Sequence, residues 1–349
     1  MITKRFSGPK PSSWPFTPIP PPQRRFYQGM LISIMGWILA FLCLASIIIW
    51  PAIFFLHLSE TNFALDWGYG ILALLASALA IYFGPVGFRL VEKGMQMRVK
   101  DGLSALKADP RRPVLYLRSF DDDDVDDPNP PANGYTLRRR YYEEGFVNAL
   151  RSLGPVISIG KPNEPLPQIG TARLYVSDEE WRTAVDFFLS QAAAVVILVG
   201  KTPGIWWEIE YALKAVPPER LLFFFPYIEE TKTRQALTIL RMANLILFKT
   251  LYPISAEKLQ LMEADRIGRY ALFRTRVAES LRVCLPKTIG PVQFVDFQPD
   301  GTPRLIPTIT SWQKWWLRFL IIGKGNVTWI DLKPTLEPFV AKLAVLDLG

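Results

Sequence analysis

Two glutamates, Glu208 and Glu210, stand in the segment AVVILVGKTPGIWWEIEYAL at residues 194–213. Its first six residues are apolar and read as a buried strand, Lys201–Gly204 reads as a turn, and the rest as a helix opening on two tryptophans. In an open α/β sheet, ligands bind beyond the carboxyl ends of the strands, where such a loop and helix start would lie. At 100° per residue, Ile209, Leu213 and Val216 make the buried stripe, and the two glutamates fall on opposite flanks of it. Only one of them therefore faces a given cleft. In the first turn of a helix the macrodipole favours an ionised carboxylate. That form suits stabilising an oxocarbenium-like transition state or attacking as a nucleophile, and it suits general-acid work poorly. Glutamates at a helix start are equally the residues of ordinary capping electrostatics.

A second acidic group follows Arg118-Ser119-Phe120, where six aspartates occupy the seven positions 121–127. Such a run suits either a hard divalent cation or a solvated loop. A phosphate-accepting receiver site would also need an aspartate at the end of the third strand, where this chain has Gly200 and Lys201. No metal centre is assigned on this basis. His57 is the single histidine, which removes histidine acid–base chemistry and histidine-rich metal sites from the rest of the chain. Cys43 and Cys284 make no disulfide framework.

The elements that would position these residues begin at Val114. Residues 114–120 read as a strand, 138–153 as a helix, 156–159 as a second strand, and 160–176 as a Pro/Gly-rich loop. Ser177-Asp178-Glu179-Glu180 reads as a capping box opening a helix with Trp181, Val185, Phe188 and Ala192 on one face. Residues 195–199, 206–216 and 221–225 continue as strand, helix and strand. Alternation with short connections predicts an α/β fold, a flavodoxin-like parallel sheet flanked by helices. Beyond it, 231–247 and 255–284 read as helices and 294–297 as a strand before a turn at Asp300-Gly301. Residues 311–322 place Trp312, Trp315, Trp316 and Phe319 on one helical face, which fits an interfacial helix or a core-facing one equally.

The N-terminal third is different. No charged residue occurs from Phe26 to Ser59 or from Trp67 to Phe88, and each run exceeds the ~20 residues that cross a ~30 Å hydrocarbon core. A transmembrane hairpin with spans at about 30–55 and 67–88 is expected. Residues 1–25 carry Lys4, Arg5, Lys10, Arg24 and Arg25 and no acid, and basic residues recur over 89–112, whereas the connection 59–66 has none. Positive charge at both outer ends predicts both termini in the cytoplasm. The net charge of +8 fits a lipid bilayer with anionic headgroups as partner. No basic helix, RNP-like strand or zinc spacing points to nucleic acid. The domain reading is a disordered Pro-rich tail (1–25), a hairpin (26–88), a basic stalk (89–112), an α/β domain (113–250) and a helical extension (251–349).

Three stretches carry a resemblance. VLYLRSFDDDD is similar to the first strand and following loop of TIR domains, the Toll/interleukin-receptor fold of animal and plant immunity and bacterial defence. PNEPLPQIGTARLY (162–175) stands where that family has its mobile loop, and WWEIEYAL resembles the segment holding the glutamate of its NAD⁺-hydrolysing members. Aligning EIxxAL puts that glutamate at Glu208. The resemblance covers about a third of the chain. It implies a bacterial inner-membrane protein whose TIR-like domain binds a nicotinamide or adenine nucleotide and hydrolyses NAD⁺ as substrate, with no further cofactor. Glu208 would be catalytic, and Ser119, Phe120, Asp121, Asp122, Gly204 and Trp207 would bind substrate. It also implies self-association into a homo-oligomer. Two other readings stay open: a non-catalytic membrane-tethered signalling or assembly module, and an enzyme cleaving glycosidic bonds of other nucleosides or nucleotides.

Overall fold

A computed structural model describes residues 14–20, 26–57, 63–119, 143–160, 170–226, 256–307 and 332–346. Helices α1 (Phe26–His57) and α2 (Phe63–Gln96) form an antiparallel pair. Among the described side chains, the buried positions are Gly29, Ser33, Gly36, Ala40 and Cys43 on α1 and Ala73, Ala80, Gly84, Gly87, Val91 and Gly94 on α2. Small residues at alternating three- and four-residue intervals let the two backbones approach closely. The outward faces carry large apolar side chains, among them Phe41 and Leu74, exposed 69% and 73%. Within the pair, 18-residue windows reach mean hydropathies of 1.7 in Phe26–Cys43 and 2.0 in Gly70–Gln96. Both helices are long and apolar enough to cross a membrane.

The seam between them is tight. A Cβ on Gly36 would lie 2.6 Å from the Gly87 carbonyl oxygen and from the Val91 nitrogen, both backbone atoms of α2. Gly36→Leu is therefore expected to wedge the pair apart at a cost of about 1–3 kcal/mol. Phe41→Ala, on the outward face, should leave the seam intact. Thermal unfolding of the detergent-solubilised variants compares the two.

Helix α3 (Gly102–Ala108), N-capped by Asp101, leads into a seven-stranded sheet. Its strands are β1 (Val114–Leu117), β2 (Val156–Gly160), β3 (Ala172–Tyr175), β4 (Ala194–Leu198), β5 (Leu221–Phe224), β6 (Val292–Phe297) and β7 (Pro303–Pro307). The order is β3-β2-β1-β4-β5-β6-β7. The first five are parallel, while β6 and β7 are antiparallel to their neighbours. Helices cover both faces. Helices α5 (Trp181–Gln191), α6 (Pro203–Ala215) and α7 (Ala256–Leu281) cover one, packing on Leu115, Leu117, Val195, Ile197 and Phe223. The helical residues 143–150 (α4) and α8 (Lys333–Leu346) cover the other, against Val114, Val196, Leu222 and Phe224. Because both faces are buried, the central strands are continuous apolar runs rather than alternating ones.

Several expectations are corrected. The flavodoxin order is 2-1-3-4-5; here β3, which the sequence concealed in a Pro/Gly-rich loop, adds an edge strand beyond β2. Without β3, the order β2-β1-β4-β5 keeps the flavodoxin sense. The region after residue 250 is not a separate helical extension, since β6 and β7 continue the same sheet and α7 and α8 pack on its two faces. Buried Asp296 ties that addition together, accepting from Arg304 at 2.9 and 2.6 Å and from Lys342 at 2.8 Å. The capping box at 177–180 does not form: the N-cap is Glu180, without a side-chain cap bond. Residues 14–20 of the supposed tail pack on the sheet domain, with Phe16 only 4% exposed. The helices expected at 231–247 and 311–322 lie outside the described residues, as does 138–142 of the helix expected after β1.

Candidate functional site

The chain runs from β1 outward to β2 and β3, then returns to lay β4 against the other side of β1. That reversal is a topological switch point at the carboxyl ends of β1 and β4, and sheets of this kind hold ligands in a crevice at such a point. Ser119, two residues past β1, has its hydroxyl 2.9 Å from that of Thr202, in the loop after β4. Thr202 also N-caps α6, accepting from the Ile205 N–H at 3.5 Å ahead of Pro203. A threonine followed by proline is a standard helix start, and that signal locates Thr202, which the motif-based reading passed over.

Helix α6 thus begins at Pro203, three residues before the expected Trp206, and neither glutamate lies in its first turn. The macrodipole argument for an ionised carboxylate fails for that reason. Glu208 stands about 9 Å along the axis from Thr202, and helical side chains lean back toward the N-terminus. It is buried, with 7% of its surface exposed, and its Oε2 finds no hydrogen-bond partner among the described residues. Burial pushes its carboxyl up to about 8, so the group is protonated at neutral pH. One helical turn before it, Gly204 borders open space: a Cβ there meets no described atom within 4 Å.

Glu210 has a different setting. It is half exposed and pairs with Arg276 of α7 at 2.9 Å. Glu210→Gln is expected to cost no more than about 1 kcal/mol and to leave any chemistry at Glu208 intact, as thermal unfolding and activity measured side by side would show.

The tryptophans are used in packing. Trp206 is buried beneath the Arg276 guanidinium, 4.5 Å from its ring. Trp207 stacks on Tyr211 at 5.2 Å and meets Trp181 edge-on at 5.0 Å, with Arg182 over both indoles. Its ring belongs to the α5–α6 contact. Phe120, Asp121 and Asp122 lie outside the described residues. Of the expected site, Ser119 lies just past β1 and Gly204 in the first turn of α6, with Glu208 one turn further along that helix.

Helix α7 braces the loop that carries Thr202. Arg269 donates to the Val199 carbonyl at 3.1 Å, and Lys201 forms an ion pair with Asp265. Burial alone would raise the Asp265 carboxyl, but its bonds to Lys201 and the charge of Arg269 outweigh this and hold it below the usual range.

On the opposite face of the sheet lies a buried ionic cluster that no motif announced. Glu143, at the start of α4, is 3.5 Å from Arg118 Nε and 3.9 Å from Arg173 Nη2. All three side chains are about 1% exposed. Gly170, at φ +141°, passes so close that a Cβ would lie 2.6 Å from Glu143 Oε2. Beside them Ser158 and Thr171 share a hydrogen bond of 2.6 Å. Arg118 is the residue before Ser119, so the cluster anchors the chain where it leaves β1. No group of metal-ligating side chains occurs among the described residues.

Fold and site together define an α/β domain with a topological switch point between β1 and β4 and a buried carboxyl, Glu208, on the helix that follows β4. Comparison with protein-family models, curated proteins and solved structures finds no match to this chain.

Proposed function

We propose that this chain is a bacterial inner-membrane protein whose cytoplasmic, TIR-like domain binds a nicotinamide nucleotide at the β1–β4 crevice and hydrolyses NAD⁺, with Glu208 as the catalytic carboxyl. The hairpin α1–α2 anchors it, with both termini in the cytoplasm as the basic flanks direct. The observation that carries the reading is Glu208 itself. Its Oε2 is buried and has no hydrogen-bond partner among the described residues; a buried polar atom left so costs stability, and such groups concentrate at functional sites.

The chemistry that relieves Glu208 is a positive charge. A nicotinamide ring in NAD⁺ is a pyridinium cation, and an ion of opposite charge lowers a buried carboxyl's pKa. Substrate entry would therefore ionise Glu208. The carboxylate then stabilises the oxocarbenium ion formed as the ribose–nitrogen bond breaks and its electron pair returns to the pyridinium nitrogen. Water adds to the ribosyl carbon and gives up a proton, so NAD⁺ and water yield nicotinamide, ADP-ribose and H⁺. Ser119 and Thr202 offer hydroxyls at the same end of the sheet.

Two measurements test this. Turnover of NAD⁺ by the solubilised full-length protein, followed over a range of protein concentrations, should rise with concentration as self-association proceeds. No turnover at any concentration from a folded protein assigns the chain to the non-catalytic assembly class. Binding of an uncleavable carbocyclic NAD⁺ analogue at pH 7, by calorimetry in buffers of different ionisation enthalpy, should release about one proton. Release unchanged in Glu208→Gln would exclude Glu208 as the group that meets the cation.

A further inference from the structure

The two chain segments flanking the apolar hairpin both end on the same strand. Upstream, Trp14 and Phe16 lie against Phe187 and Phe188 of α5 with ring centroids 5.6–5.8 Å apart. Thr17 N–H donates to Glu180 at 3.2 Å, and Ile19 N–H donates to the Tyr175 carbonyl at 2.8 Å in an antiparallel bridge. Downstream, Asp101 makes a parallel bridge with Arg173. Gly102 approaches so closely that a Cβ would sit 2.9 Å from the Arg173 carbonyl. Arg173 and Tyr175 are two apart on β3, so their backbone groups point to the same, outer edge of the sheet.

The tethers are short. Residues 20–25 alone separate Ile19 from α1, a reach of at most ~25 Å. After α2, Met97, Arg98 and Val99 are turned back onto Lys93, Met95 and Gln96 by backbone bonds of 3.0–3.2 Å, which takes up the slack before Asp101. A single tether would let the domain swivel; two on one strand do not.

The geometry points to a two-point clamp: the segments 14–19 and 101–102 couple the hairpin to β3, so that a shift of α1 against α2 is delivered through Arg173, Glu143 and Arg118 to the crevice wall at Ser119. The clamp also occupies the β3 edge, which is thereby closed to strand addition from a second copy while the segments are seated.

Hydrogen exchange on the full chain in lipid nanodiscs tests it, with peptides covering 14–20, 114–119 and 172–176. Gly36→Leu, which opens the hairpin seam and touches no residue of the sheet, is expected to speed exchange at 172–176 and 114–119 by about tenfold. Exchange altered only within 26–96 would overturn the clamp. Where that variant fails to insert, a six-residue Gly-Ser insertion after Arg25, combined with Gly102→Val, loosens both tethers and leaves the hairpin untouched. It is expected to speed exchange at 114–119 and 172–176 alike, and acceleration confined to 14–20 and 101–108 would equally overturn the coupling. These readouts are independent of NAD⁺ turnover, so the clamp and the proposed activity stand or fall separately.

Discussion

Glu208→Gln is expected to stabilise the protein at pH 8 and to abolish NAD⁺ hydrolysis. The two effects have opposite signs because one property produces both. In the unfolded chain the carboxyl titrates near 4.5, and in the folded protein it is pushed up to about 8. Below pH 4.5 it is protonated in both states and costs nothing. Between those values the unfolded state ionises and the folded state does not, so stability falls as pH rises, levelling off above pH 8. A difference from about 4.5 to about 8 corresponds to roughly 5 kcal/mol at the plateau and about 3 kcal/mol at pH 7.

Glutamine matches the protonated acid in shape and does not ionise, so the variant lacks this decline. Melting temperatures at pH 5 and pH 8 should therefore diverge, the variant gaining most at pH 8. Equal melting of the two proteins at pH 8 would mean that Glu208 is compensated in the folded state. The gain in stability with loss of turnover is the behaviour of a residue kept for function at the expense of the fold.

The second large effect is the reverse in sign. Glu143→Gln should destabilise the domain by about 3–5 kcal/mol, because it removes the carboxylate that stands between two buried guanidinium groups. Arg118 and Arg173 approach it to 3.5 and 3.9 Å with essentially no solvent exposure, so water cannot take its place. Adding Arg173→Met to this variant should cost less than the sum of the two single changes, since the positive charge left behind is halved. Strict additivity, measured by thermal unfolding of the four proteins, would show that the three side chains do not act as a unit. Loss of Glu143 should also loosen Ser119 through Arg118, and with it substrate binding.

How much of this was legible depended on the kind of signal. The apolar runs at 26–59 and 67–88 declared two long helices without any fold knowledge, because hydrocarbon-length stretches without charge have few other uses. The strands β1, β2, β4 and β5 were legible because each is buried on both faces and bounded by turn residues. Strand β3 was not. ARLY holds only four residues, one of them Arg173, and a buried arginine looks like a loop residue until Glu143, from another element, neutralises it. The same holds for Trp14–Ile19, whose Pro-rich surroundings suggested a free tail. Its aromatic side chains find Phe187 and Phe188 only once α5 is in place.

The choice between Glu208 and Glu210 shows where the boundary lies. Periodicity alone determined that the two carboxylates diverge on α6, since 100° per residue is a local property of the helix. Which one is buried was decided by the tertiary structure, as was the protonation state that follows. Arg276 of α7 arrives beside Glu210 and holds it at the surface, while Glu208 is enclosed, its Oε2 unpartnered among the described residues. Local sequence sets the period, the caps and the apolar runs, because those depend on neighbours a few residues away. Desolvation and ion pairing depend on which distant elements pack together, and only the assembled sheet with its helices supplies them.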